Sequence, residues 1–300
     1  MKNFTVDRNA VLFLGPATLL LFLLFVAPIV VNFVIAFSDM GRDLSIEQFS
    51  LNNFKQLFGD RLLWELIGKS LIFVVCTLAL FNVGLALLLS LAIACLPERI
   101  GKIFTTLWLL PRMAPSVIYA LLWIWAADPN EFGLINQLWL AIGGETPIDL
   151  RQDSPMLTII LANGIIGASM GMLIFTSAIK SIPKHLFHAA RVDGASSLSM
   201  VRHIILPAIR WPLSFVTIFQ SLSLLVTFEY ALLITNGGPF YDSTVYSLYV
   251  YKQAFESGQY GYGATLALIL VIIGVGYSLL MWRFTNMKTL LQVPKIEVKQ

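Results

Sequence analysis

The chain has 300 residues, 57% of them apolar and only 12% charged, with a formal net charge of +3. Runs without any charge, such as positions 10–37, exclude a soluble globular protein, because so little polar surface could not cover several such segments; the composition is that of a polytopic membrane protein. The two cysteines, Cys76 and Cys95, fall on one predicted helix about 28 Å apart, so they form neither a disulfide with each other nor a metal pair.

About 20 apolar residues cross a bilayer. That criterion predicts an all-α membrane protein, one domain over 1–300, with spans near 11–37, 69–96, 103–126, 156–179, 211–235 and 264–283. The first run is too long for a signal-peptide core and is not followed by a small-residue cleavage pattern, so it is expected to persist as a helix. An even number of spans places both termini on one side. Basic residues cluster at Lys2 and Arg8, Arg99 and Lys102, the segment from Lys180 to Arg210, and Arg283 to Lys299, whereas the alternate loops are acidic (Asp128, Glu131, Glu145, Asp149 and Asp153 against Arg151; Asp242 and Glu256 against Lys252). The positive-inside rule therefore puts both termini and the 180–210 loop in the cytoplasm.

In chain order, the first outer loop carries Asn52-Asn53-Phe54-Lys55-Gln56-Leu57-Phe58 and an amphipathic run through Trp64, which suits a short interfacial helix. Gly68-Lys69-Ser70 resembles the end of a phosphate loop, but Leu63 stands where its first glycine belongs and the triad opens a span, so nucleotide chemistry is assigned to another polypeptide. In the third span, Pro111 and Pro115 flank Arg112 and are expected to kink it. Arg112 is either a functional residue inside the apolar layer or a side chain snorkelling to the cytoplasmic face. The fourth span has a stripe of small residues (Ala162, Gly164, Gly167, Ala168, Ser169, Gly171) of the kind that lets helices pack closely, with a lone amide at Asn163.

The segment from Ser181 to Pro207 is cationic and cytoplasmic. Pro183 can open a helix over Lys184 to Val192, Asp193-Gly194 can end it with a left-handed residue, and Ser196 or Ser197 can cap a second helix that Pro207 closes. Two helices this short need a surface to pack on, and Leu186, Phe187, Ala189 and Ala190 offer an apolar patch. His185, His188 and His203 are the chain's only histidines, but the first two leave any third ligand beyond the glycine elbow, so no metal site is expected.

Ile182-Pro183, His188-Ala189-Ala190, Asp193-Gly194-Ala195, Ile204 and Leu206-Pro207 resemble the cytoplasmic "EAA" signature of membrane subunits of binding-protein-dependent ABC importers. His188 replaces the family's glutamate, Val201 a later phenylalanine, and the following proline comes one place late at Pro212. Phe228-Glu229, Thr235 to Pro239, Thr244, Tyr251, Ala254-Phe255, Gly261 to Ala264, Trp123 and Phe132 to Asn136 are similar to carbohydrate-importer permeases of the larger maltose-transporter-subunit type, so that the likeness runs over about residues 50–285.

The resemblance implies a type I importer transmembrane fold with a cytoplasmic coupling helix, a bacterial or archaeal inner-membrane location and no catalytic residues. It implies a second homologous permease, two ATPase subunits carrying ATP and magnesium, and an extracytoplasmic solute-binding protein. Coupling residues are then Pro183, Leu186, Phe187, His188, Ala189, Ala190, Asp193, Gly194 and Ala195 within segment 182–207, and the solute-binding positions are Asn163, Ile166, Gly167, Met170, Ser223, Thr227 and Glu229. Asn163, Ser223 and Thr227 can hydrogen-bond a sugar, and Trp123, Phe228 or Tyr230 can offer an aromatic face. The alternative is an ion-coupled secondary transporter in which Arg112 and Glu229 form the pair, which leaves the Ala-Ala to Leu-Pro segment without a role.

Overall fold

The structure, a computed structural model, describes residues 8–41 and 43–284, so Lys2, Lys288, Lys295 and Lys299 of the orientation argument lie outside the described residues. Four helices are long and apolar enough to cross a membrane, and up to six if each of two bent pairs counts as one span. In order they are α1 (Leu12–Ala36), α2 (Arg61–Cys95), the bent pair α3 (Glu98–Met113) and α4 (Ser116–Ala126), and α5 (Pro155–Lys180). After a short helix α6 (Lys184–Val192) come the bent pair α7 (Ser197–Ala208) and α8 (Arg210–Val226), and finally α9 (Tyr260–Phe284). π-Helical turns interrupt α1 at Phe22–Val26, α2 at Thr77–Leu85 and α7 at Val201–Ile205.

The chain divides into two compact units: Met1–Leu63 with Tyr249–Ile273, and Trp64–Leu248 with Gly274–Gln300. The first unit holds an element outside the all-α expectation, an antiparallel hairpin of β1 (Ser38–Met40) and β2 (Ile46–Phe49). Its polar, turn-rich sequence has no continuous apolar face for a helix to bury. Instead the Asp39 carboxylate collects donors from Ser50, Gln48 and Asn52, which hold it below the usual carboxylate range, Ser50 foremost. Asn53, in the short helix Asn52–Gly59, donates to the carbonyls of Ala36 and Ser38, and a side chain at Gly261 would meet that amide. Asn32 donates to the Ala264 carbonyl and Thr265 to that of Ala36, so α1 and the start of α9 are joined through backbone oxygens.

Asp60 explains why α2 begins eight residues before the predicted position 69. Its Oδ1 accepts the amides of Leu62 and Leu63, capping the helix, while the hydroxyls of Tyr249 and Tyr262 donate to Oδ2 at 2.6 Å each. Desolvation works to raise the Asp60 pKa, but the four hydrogen bonds outweigh it and the carboxyl lies below its ordinary value. Burial, reinforced by that carboxylate, pushes the Tyr249 hydroxyl up.

In the second unit the small-residue stripe of α5 is the packing seam. Side chains added at Gly164 and Gly167 would overlap Phe81 and Asn82, and one at Gly171 would meet the Asn82 carbonyl and Ala86. Below it Ala86, Ile93, Ala168, Met172, Phe175 and Val216 form a buried cluster, and Ile179, Ile182, Ile205 and Ile209 form another nearer the loop that follows α5.

The bends follow from local chemistry. Ala114 is extended (φ −73°, ψ 144°) because a residue before proline avoids the α region, so the break falls at Ala114-Pro115 and the α3–α4 pair bends by 99°. Pro111 stays within α3. The α7–α8 pair bends by 70° at Ile209, two residues beyond Pro207, which sits in the first turn of Leu206–Ala208 rather than closing a helix. Where a helix was predicted through position 235, α8 ends at Val226 and Thr227 is extended, with π-helical Ala231–Thr235 beyond.

Candidate coupling elbow and solute-facing region

Pro183 caps α6 from an extended conformation, and the helix lasts nine residues. It ends in a Schellman motif: Gly194 is left-handed at φ +75°, its amide donates to the Arg191 carbonyl at 3.1 Å, and the Ala195 amide reaches back to Ala190 at 2.9 Å. Ser196 then accepts the Ser199 amide and starts α7. Thus a glycine, a proline and a serine together set a rigid elbow in which no side chain is fully buried.

The predicted apolar patch is split by the helix. Phe187 turns inward onto the isoleucine cluster of Ile179, Ile182, Ile205 and Ile209, and Ala190 is half-buried. Pro183, Leu186, His188, Ala189, Asp193 and Gly194 are exposed, and Ala195 is half-buried. Leu186 is 42%, Val192 88% and Leu198 77% exposed, so the outward apolar surface continues past the elbow to two residues outside the predicted set. Their signal was weak, since neither stands in the motif, although an aliphatic at each end of a charged turn is unusual on a wet surface. His185 and His188 are exposed, and His203 contacts the Ser199 carbonyl through Nδ1 at 3.0 Å. Among the described residues no three His, Cys, Asp or Glu are grouped to hold a metal ion.

Farther along the second unit, polar groups gather around α5 and the broken end of α8. Asn163 is buried, Ile166 and Met170 are half-buried, and Gly167 is enclosed, its carbonyl accepting Nε2 of Gln220 at 3.0 Å. Ser223 and Thr227 are half-buried; the Thr227 hydroxyl donates to the Ser223 carbonyl, and the Thr227 carbonyl accepts from Ser247. The Thr227 amide donates to the Ser223 carbonyl as well, so the unwound turn is held by protein groups, as irregular backbone at membrane depth must be when it borders protein or a polar cavity. Tyr119 donates to the Ala162 carbonyl and meets Tyr230 edge-on at 5.5 Å and Trp123 at 6.4 Å, an aromatic group beside that turn.

Arg112 is exposed in the last turn of α3, one guanidinium nitrogen donating to Ser169 at 3.4 Å. Glu229 is exposed, and the ion pairs of the described residues are Lys69–Glu65, Lys69–Asp242 and Lys102–Glu98, so Arg112 and Glu229 are not joined. Sequence reading missed two buried amides. Gln220 ties α8 to α5, and Asn82 is fully buried with neither side-chain polar atom hydrogen-bonded. Each is a lone amide in an apolar run, the same signal that singled out Asn163.

Over residues 86–284 the chain matches the family described as binding-protein-dependent transport system inner membrane component. It is 31% identical over 288 residues to the probable ABC transporter permease protein YurN of Bacillus subtilis, covering 93% of this chain and 97% of that one. It is 29% identical over 250 residues to the sn-glycerol-3-phosphate transport system permease protein UgpA of Yersinia pestis (82% of each chain), and 28% identical over 273 residues to the sulfoquinovosyl glycerol transport system permease protein SmoG of Agrobacterium fabrum (89% and 86%). The crystal structure of a bacterial alginate ABC transporter in complex with an alginate pentasaccharide-bound periplasmic protein shares the fold, with a TM-score of 0.79, 24% identity, and coverage of 94% of this chain and 96% of that one. The chain belongs to the binding-protein-dependent transport system inner membrane components, the permease subunits of ABC importers.

Proposed function

We propose that this chain is one permease of an ATP-driven importer that moves a carbohydrate or related solute across the inner membrane by alternating access. It crosses the membrane six times, each bent pair counting as one span, with both termini in the cytoplasm. It pairs with a second, homologous permease, two ATP-hydrolysing subunits and an extracytoplasmic solute-binding protein. The solute class is supported by the relatives named for glycerol phosphate and sulfoquinovosyl glycerol, and the receptor by the alginate transporter solved with its periplasmic protein.

One observation carries the coupling role: the elbow of α6 and α7 is rigidly capped at both of its joints yet leaves Leu186, Val192 and Leu198 uncovered on the basic side of the chain. A docked ATPase would cover that surface and convert its closure into motion of α7 and α8, provided ATP binding favours one of two states of the permease pair. Ser223, Thr227, Ile166, Met170 and Glu229 face the solute, with Asn163 and Gly167 holding the helix packing behind them. ATP and magnesium are bound by the partners.

Co-reconstitution with the partner subunits in proteoliposomes tests the reading. ATP-dependent uptake is expected with the intact chain and none after deletion of 184–196. Uptake by this chain alone, abolished by an uncoupler, would instead establish the ion-coupled alternative, which the separation of Arg112 and Glu229 into no ion pair does not favour.

A further inference from the structure

A cavity of about 320 Å³ lies between the short helix Leu150–Asp153 and the turn after Thr235, lined by Asp149, Arg151, Gln152, Ile234, Thr235, Gly238 and Pro239. That size falls within the range of small-molecule sites, roughly 300–1,000 Å³. Its position, just before α5 and after the π-helical turn Ala231–Thr235, puts it on the acidic, extracytoplasmic side given by the charge distribution.

Arg151 is the notable member. It is half-buried, its Nε is fully buried without a hydrogen-bond partner, and it takes part in none of the ion pairs of the described residues. A guanidinium is always charged and presents a planar fork matched to carboxylate, phosphate or sulfonate oxygens. Nε is closed off from solvent, so an occupant of the cavity would be held by the rest of the guanidinium, whose charge no ion pair among the described residues balances. Asp149 shares the lining, but its Oδ1 is occupied as a cap, accepting the amides of Arg151 and Gln152 at 3.1 Å each, and it forms no ion pair with the guanidinium. The Thr235 hydroxyl is spent on the Ala231 carbonyl and Ser243. What the cavity offers is one guanidinium without an ion pair among the described residues, one carboxylate oxygen able to accept from a hydroxyl, and an apolar wall of Ile234 and Pro239.

We infer that this cavity is an outer reception site for an oxyanion-bearing, hydroxylated small solute, such as a sugar acid or a polyol phosphate, with Arg151 holding the oxyanion and Asp149 accepting a hydroxyl. The inference rests on the import function proposed above and narrows its solute class to acids.

The test uses the full chain assembled with its partner subunits in nanodiscs, and calorimetric titration with glucuronate, glucose, glycerol 3-phosphate and glycerol. Each acid should bind at least about tenfold more tightly than its neutral counterpart, the loss expected when a charge-assisted pair is removed. R151Q should erase that difference and R151K should retain part of it, with unchanged melting temperatures showing that the variants fold. Equal affinity for glucuronate and glucose in the wild type, or an R151Q that binds acids undiminished, overturns the inference. So does an R151Q that loses docking of the solute-free binding protein while keeping glucuronate affinity, because the occupant would then be an acidic side chain of that partner. ATP-driven uptake of neutral sugars alone would remove this inference and leave the proposed function standing; acid binding without any ATP-coupled uptake would do the reverse.

Discussion

Replacing Gly194 isolates the elbow's geometry from its chemistry. The residue is at φ +75°, and nothing lies within 4 Å of the place a Cβ would occupy, so a side chain there meets no neighbour and the whole effect is conformational. For an alanine the left-handed region costs about 1–2 kcal/mol, and a β-branched side chain fits it worse still. Because α6 has only nine residues and is held by a Schellman pair of hydrogen bonds, that cost shifts the elbow itself, lowering the population of the docking geometry by a factor of about 5–30 for alanine and more for valine. Asparagine, which tolerates the left-handed region, should be nearly silent. The measurement is solute taken up per ATP hydrolysed in proteoliposomes holding the complete transporter, with G194N, G194A and G194V in one series. Coupling should fall in that order while assembly in the membrane is kept. Full coupling in G194V, or equal loss in G194N and G194V, would refute the reasoning.

The α5 seam gives a second ordered series. At Gly167 an added methyl meets the movable Asn82 amide, whereas at Gly171 it meets the Asn82 carbonyl and Ala86 Cβ, so G171A should lower the melting temperature of the detergent-solubilised complex more than G167A, by the equivalent of about 1–3 kcal/mol. Asp60 predicts an acid dependence. Its folded pKa is lowered, so its contribution is present above the unfolded value of about 4 and is lost as pH falls through the lower folded value. Hydrogen exchange at Leu62 and Leu63 should accelerate over that window in the wild type, and D60A, which has no acceptor for their amides, should be fast throughout. His188 is exposed, so H188E should change ATP-coupled uptake by no more than about twofold, the usual range of a surface substitution; a larger loss would mean that the histidine itself is read by the ATPase.

The elements that obey local rules were legible. Uninterrupted apolar runs mark the spans because the bilayer leaves no other solution, and Pro183, Gly194 and Ser196 mark the elbow because a proline, a left-handed glycine and a capping hydroxyl each act within a few residues. Even the bend of the third span was foreseeable from Pro115, since the residue before a proline leaves the helix wherever it occurs. The position of the α2 start was not, because it depends on Asp60 finding Tyr249 and Tyr262, nearly two hundred residues later in the chain.

What the sequence by itself determined about this protein is its class, an importer permease with several apolar helices and the motif residues of that family, all consequences of short-range periodicity and composition. Only the tertiary structure decided which motif residues turn outward, that α8 unwinds at Thr227, that Gln220 donates to the Gly167 carbonyl, and that Arg151 lines a cavity without an ion pair among the described residues. Those facts depend on which groups from distant segments arrive at the same place. A hydrogen-bond partner or an absent counter-ion is a property of that meeting, and no periodicity within a single segment records it.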